Sequence, residues 1–382
     1  QISNNRNLML SILMTFFLIG TYNSSAQSAD FRQGANENPT LGDIVWINGI
    51  LQQNNSFYVE GMSTLQRLIF EDIPSTAGDI HTFRIKMETQ KSGQHAFDFV
   101  TSWDQALAAA GAIAPGFGLM PANYADPDLN ICGDAISATA EVVCIDVHGG
   151  SGFSKLLPIS GETDLALAGD TSTTTSVISN YEAFFGPRTI KIYGTSAFSG
   201  VAANNKVEFV KYEAGYIFYD ITWQSPSTDV VIEFAAHISA GSDPLSSGIG
   251  YGAGRGAAQI SGGPYHVITD DFQTGEGSIG NMDNQLKGAD ILLSPSCTIS
   301  GDDSACTGDA DITYSATIEN ADSPTYLWEF ESNTSGATFT TANGGTSIDV
   351  DPGNTAGSYT VKLTVTNASG LVSSCTYGTQ VI

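Results

Sequence analysis

Gly357-Ser-Tyr-Thr-Val-Lys-Leu-Thr-Val-Thr366 places Tyr359, Val361, Leu363 and Val365 at every second position, with Thr or Lys362 between them. A period of two is the pattern of a strand with one buried face and one wet face; a helix does not put those four residues on one stripe. Alternation of this kind recurs in segments 312–318, 325–330, 337–341, 346–350 and 377–382, with turns about every ten residues. Ser294-Pro295-Ser296 marks the connection into this set.

Short strands at such spacing predict a small immunoglobulin-like β-sandwich over 296–382. Upstream, segments 43–51, 64–71, 81–88, 139–147, 189–193, 206–212, 216–223, 230–238 and 265–269 also read as strands, enough for a larger β-sandwich-like domain over 41–295. Segment 102–111, with its Ala-Leu-Ala-Ala-Ala run, is the one expected helix. Segment 239–263, rich in Gly, Ser and Ala, reads as a long surface loop. A length of 382 residues, 14% charged residues and 41 Gly agree with an all-β chain of two domains.

Arg6, the apolar run 8–20 and the small residues ending at Ala26 have the order of a secretory signal, expected over 1–26, with a polar leader over 27–40. The sequence opens on Gln1 rather than Met, and is expected to be a piece of a longer chain. No other segment is apolar enough to span a bilayer. The net charge of −26 repels nucleic acid and anionic lipid, so neither partner is expected. Five cysteines in an exported chain are expected to be mostly oxidised. One bridge per domain is expected, Cys132 with Cys144 and Cys306 with Cys375, leaving Cys297 odd or paired beyond Ile382. There is no C-x-x-C pair and no histidine after His266, which argues against zinc.

Tyr326-Leu327-Trp328-Glu329-Phe330 and the later 357–367 stretch resemble a PKD-like (polycystic kidney disease type) domain of surface proteins of Bacteroidota. The resemblance implies a buried Trp328 on a central strand; Glu331-Ser332 replaces the family's usual Gly-Asp-Gly turn. The larger part resembles an N-terminal domain of exported Bacteroidota proteins, carried by Gly93–Phe99, Thr101–Ala106, Ala236-His237-Ile238 and Ile260–His266. That likeness implies location and architecture, with further repeats and a type IX or gliding-associated signal past Ile382.

Asp126, Asp128 and Asn130, with Asp134 beyond, put oxygen side chains at alternate positions of one loop, the arrangement that wraps a hard cation, and are the candidate calcium ligands; no cofactor is assigned with certainty, and calcium is the one candidate. Against it, the sixth position is Ile131 where such loops need Gly, and a solvated acidic turn has the same composition. His95 and Asp98 have general-base spacing, with Asp104 nearby, but no G-x-S-x-G elbow accompanies them, and a structural role is favoured. His237 with His266 is a second, weaker pairing. The alternating glycines 248–256 lack the strand, helix and Lys of a phosphate loop.

No catalytic residues are assigned, and the chain is expected not to be an enzyme. The expected function is a secreted or cell-surface bacterial adhesion or binding protein, with the PKD-like unit as spacer and a glycan or a cell-surface or matrix protein as partner. The rival is a carbohydrate-binding accessory part of a polysaccharide-degrading enzyme, in which Trp46, Trp103 and Trp223 stack on sugar; core positions are the plainer reading for all three.

Overall fold

The computed structural model describes residues 27–382 apart from 38–39, 77, 151 and 246, so the expected signal at 1–26 lies outside the described residues. The described chain is mostly β, in two sandwich-like domains. In the larger, one layer runs Leu41–Ile47, Ser28–Glu37, Ser63–Glu71, Val230–Ile238, Thr189–Gly194, Phe153–Ser160, with Phe97–Thr101 also on Val230–Ile238. The other runs Lys206–Glu213, Tyr216–Gln224, Ile80–Glu88, Tyr265–Phe272, Asp283–Leu286, Ile50–Leu51. A short parallel pairing, Val207 with Ile159 and Glu208 with Ser160, joins them. Phe70 from the first layer meets Phe83 and Phe272 of the second at centroid distances of 4.9 and 5.1 Å, which places the core between the layers.

Three helices lie against this domain: α1 (Trp103–Ile113), α2 (Ala138–Gly149) and α3 (Thr174–Phe185). Trp103 on α1 stacks on Trp46 at 5.0 Å and donates to the carbonyls of Gln66 and Phe234. Covered by the sandwich on one face and by helices and loops on the other, Ser63–Glu71 and Val230–Ile238 are buried at every residue. Trp46, Trp103 and Trp223 are no more than 1% exposed and belong to the core.

Three expectations need correction. The polar leader contains a strand, Ser28–Glu37, in the middle of a layer. Its polarity does not expose it, because buried Asn36 bonds Phe57 and Leu119 and buried Gln33 bonds the Gln285 carbonyl. Segment 139–147 is helix rather than strand: Ser137 caps it by accepting from the Ala140 N–H, and Ala140, Cys144 and Val147 fall on one face against Ile69, Val231 and Tyr193. The loop 239–263 is not wholly on the surface: Ile249, Tyr251, Ala257 and Ile260 are at most 1% exposed, while 253–254 and 261–263 face solvent. Glycine is needed in it: a Cβ on Gly250 would stand 2.6 Å from the Gly241 carbonyl oxygen.

The smaller domain begins at Ser296–Ser300. That strand, Ile312–Glu319, Ser347–Asp351 and Thr338–Phe339 form one sheet; Ser304–Ala305, Val372–Val381, Gly357–Thr366 and Thr325–Asn333 form the other. Tyr359, Val361, Leu363 and Val365 are all fully buried. Trp328 is buried at 1%, but its strand is at the sheet edge rather than central. Asn343 closes that edge, accepting from the Trp328 N–H at 2.8 Å and donating to its carbonyl at 2.7 Å.

Cys132 and Cys144 are bonded, tying α2 to the preceding loop. In the smaller domain Cys375 bonds Cys297, not Cys306, with Cα atoms 5.8 Å apart, while Cys306 is exposed and free. The register explains the correction. Ala305 pairs with Val381, and at about 3.3 Å per residue that is roughly 20 Å along the strand from Cys375, beyond disulfide reach.

Candidate functional site at the domain junction

The residues expected to hold calcium lie on the connection between α1 and α2, where Asp126 and Asp134 engage backbone N–H groups. Asp126 caps the short turn Pro127–Leu129, accepting from the Asp128 and Ala122 N–H groups. Asn130 takes a left-handed conformation, φ +43°, that ends the turn, and the Asp134 carboxylate accepts from the Trp46 N–H. Burial, then neighbouring Asp126 and Asp43, push the Asp128 carboxyl up. Among the described residues no three His, Cys, Asp or Glu side chains gather into a cation cage.

The histidines find other partners than their spacing implied. His237 Nδ1 meets Asp98 Oδ1 at 2.6 Å, from neighbouring strands. His95 Nε2 meets Asp170 Oδ2 at 3.0 Å, and Arg255 Nε donates to the other oxygen of Asp170. Burial lowers the His95 pKa, with Asp170 opposing. His266 pairs with Asp283 in the other layer, and Asp104 sits in the first turn of α1. Ser63 lies opposite His237 in register, so Asp, His and Ser meet here. Yet His237, Ser63 and Asp98 are 0%, 0% and 1% exposed, and neither Ser63 Oγ nor His237 Nε2 has a hydrogen-bond partner within the protein. Phe99 stacks on the His237 ring at 4.2 Å and closes the group from outside.

A second buried pair, absent from the sequence reading, lies under α2. Glu233, fully buried, accepts from Tyr124 at 2.8 Å and faces His148 Nε2 at 2.6 Å. Burial, then the Glu233 charge, push the Tyr124 and Tyr193 hydroxyls well above the usual phenol range.

Open polar surface gathers where the domains meet. Leu371, fully buried, inserts from the smaller domain into the large core, and Asn367 donates to the Leu293 carbonyl at 3.3 Å. Asn320 reaches Ser242 across the same junction at 3.1 Å. Beside this plug is a cleft of about 380 Å³ lined by Glu37, Gln53, Phe57, Asp290 and Leu292 of the large domain and Ser369 of the small one. It continues past Gln52, Asn54 and Lys287. The Asp290 carboxylate accepts from the Gln53 N–H at 3.1 Å and meets Lys287 Nζ at 3.0 Å. Burial disfavours its charge, but those two donors outweigh burial and hold the carboxyl below the usual range. No spacing rule joins residues 52–57 to 287–292 and 369, which is why sequence reasoning missed the cleft.

Residues 293–378 match the family model of the PKD-like domain. This chain's C-terminal unit is a PKD-like domain. No curated protein matches the chain. Among solved structures, the Yersinia pseudotuberculosis adhesin InvE is 10% identical over 50% of this chain and 53% of that one, with a TM-score of 0.17. A protocadherin gammaB7 EC3-6 cis-dimer structure is 14% identical over 50% of this chain and 39% of that one, TM-score 0.18. Dpr11 IG1 bound to DIP-gamma IG+IG2 is 11% identical over 86% and 94%, TM-score 0.20. The chain thus spans about half the length of the first of these, and overlaps so slight say nothing about its function. Two disulfides among the described residues fit an oxidising, extracellular setting. No helix among the described residues is long and apolar enough to cross a membrane.

Proposed function

We propose that this chain is a secreted or cell-surface binding protein of bacterial type, which holds an extracellular partner without transforming it. The observation that carries the reading is the contrast between its two kinds of polar grouping. The histidine–carboxylate pairs of His95, His148 and His237, groups with a composition suited to acid–base chemistry, are buried or nearly so and engaged with one another, while the more open His266–Asp283 pair lies on the other layer with no nucleophile assigned beside it. Acid–base catalysis requires reach to a substrate proton, and atoms with no exposure offer none. An accessible polar cleft lies where the two sandwiches meet, a place where ligand sites are commonly built. The PKD-like domain is a docked wall of that cleft rather than a free spacer.

Screening the purified protein on a glycan array and on immobilised matrix proteins, in parallel with reducing-sugar release from a polysaccharide panel, tests this. Saturable binding with no product is the expected outcome. Release of product from any polysaccharide would overturn the reading.

A further inference from the structure

We infer that the junction cleft takes a segment of a neutral glycan; this rests on the binding reading above and names its ligand class. Besides the ion-paired Lys287 and Asp290, the side chains that meet solvent there include three amides and a hydroxyl: Gln52, Gln53, Asn54 and Ser369. Among the described residues, none of these four side chains takes an intramolecular hydrogen bond, whereas most polar groups of the large domain's interior are consumed. Each amide offers two donors and an acceptor at fixed separation, matching neighbouring sugar hydroxyls that both donate and accept. Phe57, half-buried and tilted on Phe117 at 5.9 Å, lines the same cleft and supplies an apolar face for the C–H side of a pyranose ring.

Charge selects within the carbohydrates. The lining carries Glu37 and Asp290 against Lys287, and the Lys287 ammonium is already committed to Asp290. With a chain charge of −26 around it, the cleft repels sulfated or uronate-rich chains. The volume, about 380 Å³, is that of a small-ligand site, roughly 300–1,000 Å³ for such pockets, and its open continuation past Gln52 and Asn54 leaves room for a chain to run through. Both domains contribute, so the site exists only while Leu371 keeps them docked.

Calorimetric titration with neutral hexasaccharides (β-1,3-glucan, β-1,4-glucan, β-1,4-mannan and α-1,4-glucan), alongside polyguluronate and a sulfated galactan hexasaccharide, tests the assignment. At least one neutral probe is expected to bind and the two anionic probes to give no heat. The exposed pair Gln53→Ala with Asn54→Ala is expected to weaken binding ten-fold or more. Ser369→Trp, which fills the cleft from the PKD-like side, is expected to abolish it, while Val201→Ser, exposed and outside the cleft, leaves it unchanged. Failure of every neutral probe, or binding indifferent to both cleft variants, would overturn the inference. If matrix protein binds while every glycan fails, the glycan assignment falls and the binding reading stands; cleavage of a bound hexasaccharide sinks the binding reading itself.

Discussion

Glu60 is 3% exposed and accepts from the Gly241 and Ala258 N–H groups, both at 2.8 Å, so one carboxylate pins both ends of the glycine-rich loop. Burial raises its pKa to about 7, with the two backbone donors pulling the other way. A carboxyl raised in the fold above its free value of 4.5 favours the folded state most at pH below 4.5, and that contribution is lost as pH rises through about 7. Thermal melts from pH 4.5 to 7.5 are expected to show a downward slope from this group, worth at the outside about 3 kcal/mol. In Glu60→Gln that slope should flatten; equal slopes would contradict it. At Asp98 the pairing with His237 is sealed, so Asp98→Ala is expected to cost about 3–5 kcal/mol in urea unfolding. A loss below about 1 kcal/mol would mean that the pair is open to water.

At the scale of elements, α2 shows how packing overrides local preference. Its Thr139, Val142, Val143 and Ile145 favour extended chain. The Ser137 cap, the apolar spacing at 140, 144 and 147 and the Cys132–Cys144 bond hold it helical. Cys144→Ser is expected to speed amide hydrogen exchange across Ala138–Gly149 while leaving Val230–Ile238 protected; unchanged exchange in α2 would show that the bond carries none of its order. Strands that keep one wet face, such as Gly357–Thr366 and Ile80–Glu88, were legible because their alternation survives in the sequence. Ser28–Glu37 was not, because its buried positions are filled by Gln33, Asn36 and Asp30, whose partners include segments distant in sequence. The same reason hid the junction cleft and the true partners of His95 and Asp98. The disulfide in the smaller domain was misassigned because strand register, which sequence spacing does not report, decides which cysteines meet.

For the whole molecule, the decisive contact is Leu371, a residue of the PKD-like domain buried in the core of its neighbour. Beside it Gly370, at φ +84°, lets the loop turn against Phe117. Leu371→Ala is expected to cost about 2–5 kcal/mol and to split a single calorimetric unfolding transition into two. Persistence of one transition would place the coupling elsewhere. The central claim is that the docked pair binds at its junction and leaves its ligand intact. It is tested most directly by titrating the protein with the neutral hexasaccharide that gives the strongest heat, then chromatographing the recovered sugar. Saturation with the hexasaccharide recovered whole is the expected result. Shorter products, or no heat with any probe together with no binding to matrix protein, would contradict it.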